Sequence, residues 1–268
     1  MLLAVLLAAT AAAADSGLPP AEETAKGALE TTPRHGEYVD IPHAGGPALR
    51  TFVVYPERKD NAPVVIVIHE VFGLSDWIRG VADRLAADGF IAVAPDFLSG
   101  RGPNGGGTES AKSRDEVVAL VRGLAEDEVN ARLDSVRAWA LKLPSASGMT
   151  ATIGFCWGGG RSFAYPVHQC GLDAAVVFYG SSPSDAAALR RLKAPVLGLY
   201  GGDDARVNAT IEPAAAELKK RARTYETEIY AGAGHGFLRQ QSGRDGANKT
   251  ATEKAWPRVI EFLRRHLE

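Results

Sequence analysis

The stretch from Thr150 to Gly160 constrains the fold more than any other part of the chain. It opens as an apolar, β-branched run, Thr150-Ala-Thr-Ile153, and ends in Gly158-Gly-Gly160, with Cys156 at the changeover. Gly154-Phe-Cys-Trp-Gly158 has the form G-x-S-x-G with sulfur in place of the hydroxyl. Such a motif sits where a strand turns sharply into a helix. Strand and helix pack closely there, so a Cβ at the glycine positions would clash. The turn predicts that Cys156 stands at the top of a sheet with the backbone N–H of Trp157 facing a substrate. Cys156 is therefore a candidate nucleophile.

The remaining runs supply the sheet. Val64-Val-Ile-Val-Ile68, Ile91-Ala-Val-Ala-Pro95, Ala174-Ala-Val-Val-Phe178 and Pro195-Val-Leu-Gly-Leu-Tyr200 are continuous and apolar, as strands covered on both faces require. Glu37–Ile41 and Leu49–Tyr55 read as an antiparallel pair, and Tyr225–Tyr230 as an edge strand. Helical patterns lie over Asp76–Asp88, Glu109–Leu143 (broken near Gly123 and Asp127), Asp185–Leu192, Ala209–Ala222 and Thr252–Leu267. Strands alternating with helices predict an α/β domain with a mostly parallel central sheet and helices on both faces. A chain of 268 residues fits one such domain, expected over 36–268. The net charge of −2 gives no footprint for nucleic acid.

Met1 to Ala14 is almost wholly Leu, Ala and Val, and Ala12-Ala-Ala14 fits an A-x-A cleavage site. It is too short to span a bilayer, which takes about 20 apolar residues. The expectation is a signal peptide over 1–14, without stable membrane insertion, and an exported, periplasmic or secreted protein; a cytoplasmic one is the alternative. Residues 15–35, rich in Pro, Thr, Glu and Ala, read as a linker. Of the two cysteines, Cys170 lies about four helical turns beyond Cys156. That separation puts the thiols beyond bonding reach, so Cys170 reads as structural.

Ligands of parallel α/β sheets bind at the carboxyl ends of the strands. Two loops there follow Cys156 in the chain: Tyr200-Gly-Gly-Asp-Asp-Ala-Arg-Val207 and Ala231-Gly-Ala-Gly-His-Gly-Phe237. Asp203 or Asp204 can orient one nitrogen of His235, leaving the other to take the thiol proton. Nucleophile, acid and histidine then follow in the order of the G-x-S-x-G enzymes. Elsewhere the readings are structural. Trp77, Trp139 and Trp256 are expected in the core, Asp96 capping its loop, and Ser99–Gly107 as a long flexible loop. His69 has no triad partner. His43, His168 and His266 have no metal-ligand spacing, so no metal is expected. The glycines at 105–107 lack a phosphate-loop Lys-Ser/Thr.

With those motifs the chain resembles the dienelactone hydrolase (carboxymethylenebutenolidase) family of α/β-hydrolases. The resemblance is carried by His69-Glu-Val-Phe-Gly73, Pro95-Asp-Phe-Leu98, Gly154-Phe-Cys-Trp-Gly-Gly159, Gly201-Gly-Asp-Asp-Ala-Arg206 and Gly232-Ala-Gly-His-Gly-Phe237, and it extends from about Gly36 to His266. It implies the α/β-hydrolase fold and a cofactor-free Cys156–His235–Asp204 triad, with Asp204 preferred to Asp203. It also implies Glu70 as a carboxylate holding the resting thiol, and an oxyanion hole from the backbone N–H groups of Val71 and Trp157. Arg239 and Arg101 are the implied grip on a substrate carboxylate. The expected partner is a small ester or lactone, and the expected state a monomer or weak homo-oligomer. The alternatives are a general carboxylesterase or hydrolase of larger esters, with the glycine-rich loop as an open mouth, and a non-catalytic redox or ligand-binding protein.

Overall fold

A computed structural model describes residues 16–44 and 46–268 of the chain. The signal peptide expected over 1–14 lies outside the described residues. Eight strands make one sheet: β1 (Gly36–Ile41), β2 (Leu49–Val54), β3 (Ala62–Ile68), β4 (Ile91–Pro95), β5 (Ala146–Phe155), β6 (Ala174–Phe178), β7 (Val196–Gly201) and β8 (Tyr225–Tyr230). Their order is β1-β2-β4-β3-β5-β6-β7-β8. The pairs β1/β2 and β2/β4 are antiparallel, and all others are parallel. The predicted mostly parallel sheet is what forms. Central strands β3, β4 and β6 are buried along their whole length, which is why their sequences do not alternate.

Helices cover both faces: α1 (Glu22–Thr31), α2 (Asp76–Ala87), α3 (Arg114–Arg122), α4 (Glu126–Ala140), α5 (Trp157–His168), α6 (Ala186–Leu189), α7 (Ala205–Asn208), α8 (Ile211–Lys219) and α9 (Ala247–Leu267). The pleat sends Val65 and Val67 of β3 to one core, with α2, α9 and Ala25 of α1. It sends Val64, Ile66 and Ile68 to a second core with α3, α4, α5 and α8. Trp77 and Trp256 are in the first core as expected, and Trp139 packs partly buried on the second. The last helix begins at Ala247, five residues ahead of its expected start.

Two readings are corrected. The 15–35 segment is no linker: it carries α1, packed on α2. The chain enters α1 through Pro19 and Pro20, whose carbonyls accept from Gln241 Nε2 (3.0 Å) and Trp77 Nε1 (3.0 Å). Gly80 of α2 makes room, because a Cβ there would stand 2.6 Å from Pro20 Cγ. The composition resembled a linker because only Ala25 of α1 is buried. The 99–107 loop is long but pinned. Asp96 accepts from Leu98 N–H (2.9 Å), Thr108 N–H (2.7 Å) and Thr108 Oγ1 (2.7 Å). Gly102 N–H donates to Gly106 O at 2.9 Å.

Candidate active site

β5 runs straight into Cys156, which has φ 56° and ψ −114° and stands at the N-cap of α5. A left-handed φ at a non-glycine residue costs about 1–3 kcal/mol and persists only where its surroundings enforce it. Here the surroundings are backbone. A Cβ on Gly154 would lie 2.0 Å from Gly158 O, one on Gly158 2.3 Å from Ile68 O and His69 O, and one on Gly159 2.6 Å from Phe178 O. The glycines let β5, α5 and the ends of β3 and β6 converge at hydrogen-only spacing. Cys156 N–H donates to Phe178 O at 3.0 Å, which fixes the turn to β6.

The loops after β7 and β8 converge on the same point. Gly201 touches the carbonyls of Ala233 and Gly234, where a Cβ would intrude to 2.6 Å. That close approach lets the acid loop reach the histidine loop. His235 Nδ1 lies 2.5 Å from Asp204 Oδ2, and His235 Nε2 lies 3.0 Å from Cys156 Sγ. Asp204 is buried. Asp203 turns the other way and pairs with Arg244 Nη1 at 2.8 Å. Of the two aspartates the sequence left open, Asp204 is the one on the imidazole.

Residues 49–267 match the model of the dienelactone hydrolase family. A Saccharolobus solfataricus protein, provisionally named a carboxymethylenebutenolidase, is 32% identical over 251 residues, spanning 82% of this chain and 95% of its own. An Escherichia coli K12 protein with the same provisional name is 30% identical over 266 residues, spanning 94% of this chain and 96% of its own. The crystal structure of a Klebsiella pneumoniae protein, provisionally a dienelactone hydrolase, superposes with a TM-score of 0.74 at 29% identity, covering 86% of this chain and 98% of the other. The chain belongs to the dienelactone hydrolase family. It is a hydrolase acting on a lactone or carboxylic ester.

Around the sulfur of this dienelactone hydrolase family member the field favours the thiol. Burial pushes the Cys156 pKa up to about 11, and the charge of Glu70 adds to the rise. The Trp157 N–H, directed at the sulfur, and Arg206 oppose it. Glu70 is 2% exposed, in the loop after β3. Burial raises its pKa to about 7, against the pull of Arg239, whose Nε lies 2.7 Å from Glu70 Oε2. Val71 and Trp157 line the cleft beside Cys156.

The two arginines do not converge on that cleft. Arg101 is corrected outright: it lies in a separate cavity of about 480 Å³ with His43 and Pro47, and its Nε donates to Glu128 Oε1 at 2.8 Å. Its partner is 27 residues away in sequence, which no local motif reveals. Arg239 is 7% exposed and engages Glu70 and Glu22. The arginines lining the cleft with Cys156 include Arg161 and Arg206. The cleft holds about 1020 Å³. Its walls come from α4, α5 and the 179–191 segment. The 99–107 loop does not form its mouth.

Two neighbours had no assigned role in the sequence reading. His69 Nε2 accepts from Phe97 N–H at 3.2 Å while Nδ1 lies 2.7 Å from Glu70 O, so its partners fix a neutral tautomer. Burial also lowers its pKa. Stacked on Trp157 at 5.6 Å, it braces the Glu70-Val71 loop. Tyr179 is fully buried with its ring 5.2 Å from that of His235. Burial and the nearby Glu70 charge raise its phenol well above the usual range. Its position just after β6, at a strand end, was the signal that could have found it. Among the described residues, no His/Cys/Asp/Glu cluster could hold a metal and no helix is long and apolar enough to cross a membrane.

Proposed function

We propose that the protein hydrolyses lactones or carboxylic esters through a Cys156–His235–Asp204 triad and an acyl-thioester intermediate. The observation that supports this most is the 3.0 Å contact of His235 Nε2 with a sulfur held on a strained turn. The thiol proton passes to Nε2 as Sγ attacks the carbonyl carbon. Asp204 stabilises the imidazolium through Nδ1–H. The oxyanion accepts from the N–H groups of Val71 and Trp157, worth about 3 kcal/mol each in acyl transfer. The C–O bond breaks and the leaving oxygen takes the proton from Nε2; for a lactone it stays tethered to the acyl group. Water then gives a proton to His235 and attacks the thioester. Sγ leaves and is reprotonated. Glu70 holds the resting thiol in its protonated form.

Arg206 is the cation of the cleft that bears on the sulfur, and it would take a carboxylate on the substrate. The volume of about 1020 Å³ also favours a second reading, larger esters, since it is at the upper end for ligand pockets. Export, read from residues 1–14, belongs to the same proposal; N-terminal sequencing of the mature protein from separated cell fractions tests it. For the chemistry, the test is a mass adduct. A slow acyl substrate should leave its acyl group on the Cys156 peptide. Cys156→Ala should fold, carry no adduct and lose ester turnover. Turnover surviving in Cys156→Ala would sink the mechanism, and a panel of lactones against aryl esters separates the two substrate readings.

A further inference from the structure

The second face of Arg239 is held from an unexpected place. Glu22, the first residue of α1, contacts Arg239 twice: its N–H donates to Arg239 O at 3.0 Å, and its carboxylate accepts from Arg239 Nη1. The other carboxylate oxygen lies 3.1 Å from Arg114 Nη2. Both guanidiniums also lie against Phe72, Arg114 at 3.6 Å and Arg239 at 4.9 Å from its ring centroid. The chain of contacts therefore runs Arg114, Glu22, Arg239, Glu70.

The inner link is a close contact of opposite charges. Arg239 Nε and Glu70 Oε2 are 2.7 Å apart, yet neither atom makes an aligned hydrogen bond among the described residues. The directional contact is the one to Glu22. α1 lies ahead of residue 49, where the match to the family model begins. The Pro19 and Pro20 carbonyls, bonded to Gln241 and Trp77, fix where α1 starts.

We propose that Glu22 is a positioning residue of the active site: it clamps Arg239 onto Glu70, so that the N-terminal helix sets the charge state of the carboxylate beside Cys156. The clamp itself does not depend on Cys156 being the nucleophile; only its bearing on catalysis rests on that reading. The groups facing Glu70 are Arg239, Glu22 and Arg114 on one side and Cys156 and Tyr179 on the other. Two effects of Glu22 on Glu70 oppose each other. Its own negative charge raises the pKa of Glu70. Its hold on Arg239 keeps a cation against Glu70, which lowers it. A cation in contact is the stronger of the two, so the clamp predicts a net rise when Glu22 is removed.

The experiment is a carboxyl-carbon NMR titration of the full chain labelled at glutamate. Glu70 is assigned as the resonance that titrates near neutrality and vanishes in Glu70→Gln. In Glu22→Gln and Glu22→Ala its midpoint should move up by about one pH unit, while Glu23→Gln leaves it in place. Cys156 alkylation at pH 8 should rise about 1.7-fold in the same variants, because a Glu70 with its midpoint near 8 is about half neutral there and opposes the thiolate less. Circular dichroism melts establish that each variant is folded. An unchanged midpoint, or one that moves down in folded Glu22→Gln, overturns the clamp. A midpoint that rises without any change in alkylation keeps the clamp and overturns instead the reading of Glu70 as the brake on the thiol.

Discussion

Titrating the reactivity of Cys156 tests the account of its surroundings directly. Burial and Glu70 carry its pKa from 9.0 to about 11, which corresponds to about 2.7 kcal/mol against the thiolate. At pH 8 a thiol with pKa 11 is about 0.1% ionised, against about 24% for a free cysteine near 8.5. The more basic thiolate is intrinsically more nucleophilic, and a Brønsted slope near 0.45 returns about thirteenfold of that roughly 240-fold deficit. The net expectation is alkylation by iodoacetamide about twentyfold slower than a free cysteine at pH 8. The rate should then climb about tenfold per pH unit up to pH 10. Exposed Cys170 is an internal reference in the same digest, read peptide by peptide by mass. Glu70 is the second contribution, after burial, so Glu70→Gln should recover less than half of the shift. That is at most about tenfold in thiolate and about threefold in rate. A rate already at plateau between pH 5 and 6 would mean a standing thiolate–imidazolium pair with His235. It would refute the claim that this site holds a protonated thiol.

Asp204→Asn removes the carboxylate on His235 Nδ1 and should lower kcat by at least about 10², whereas Asp203→Asn, which loses only an exposed pair with Arg244, should stay within about twofold; steady-state kinetics on one ester reads both, and equal losses would undo the assignment. Gly158→Ala forces a Cβ to within 2.3 Å of two carbonyl oxygens that belong to β3 and its loop. It should cost about 3 kcal/mol, a fall of about 6–12 °C in thermal midpoint; a variant as stable as the parent would show that the elbow is less tightly packed than drawn.

The sheet and the loops that bring Cys156, Asp204 and His235 together were legible because their signals are local. A continuous apolar run has one outcome in an α/β domain, and strand-end glycines mark where backbones must touch. Gly154, Gly158 and Gly201 each proved to face backbone at distances no Cβ tolerates. What the sequence hid were partners distant along the chain. Arg239 reads as an available loop cation until Glu22, 217 residues away, is found on it. Arg101 reads likewise until Glu128 is placed beside it. The α1 segment read as a linker because its single buried side chain gives no periodicity, while its anchors are side chains of other elements bonding to its backbone. Asp203 and Asp204 could be separated only by geometry, since adjacent residues share every local signal and differ in direction alone.

On the proposed reading, in which Cys156 is the nucleophile, the electrostatics of the site suit a sulfur where related motifs use oxygen. A thiol on an accessible cleft is exposed to oxidation in proportion to its thiolate fraction. Burial and Glu70 keep that fraction low at rest. The groups that favour the thiolate are few and specific: the Trp157 N–H by hydrogen bonding and Arg206 and Arg239 by charge, with His235 Nε2 at 3.0 Å as the proposed proton acceptor. A carboxyl with a pKa near 7 adds an adjustable element, because at neutral pH Glu70 is about half ionised and small changes in the placement of Arg239 move it either way. Under the proposed clamp, Cys156 is coupled to α1 through Glu70 and Arg239. On this account burial sets most of the resistance of the thiol and the position of one guanidinium adjusts the rest, so anything that shifts α1 on α2 should be felt as a change in the pH dependence of the sulfur.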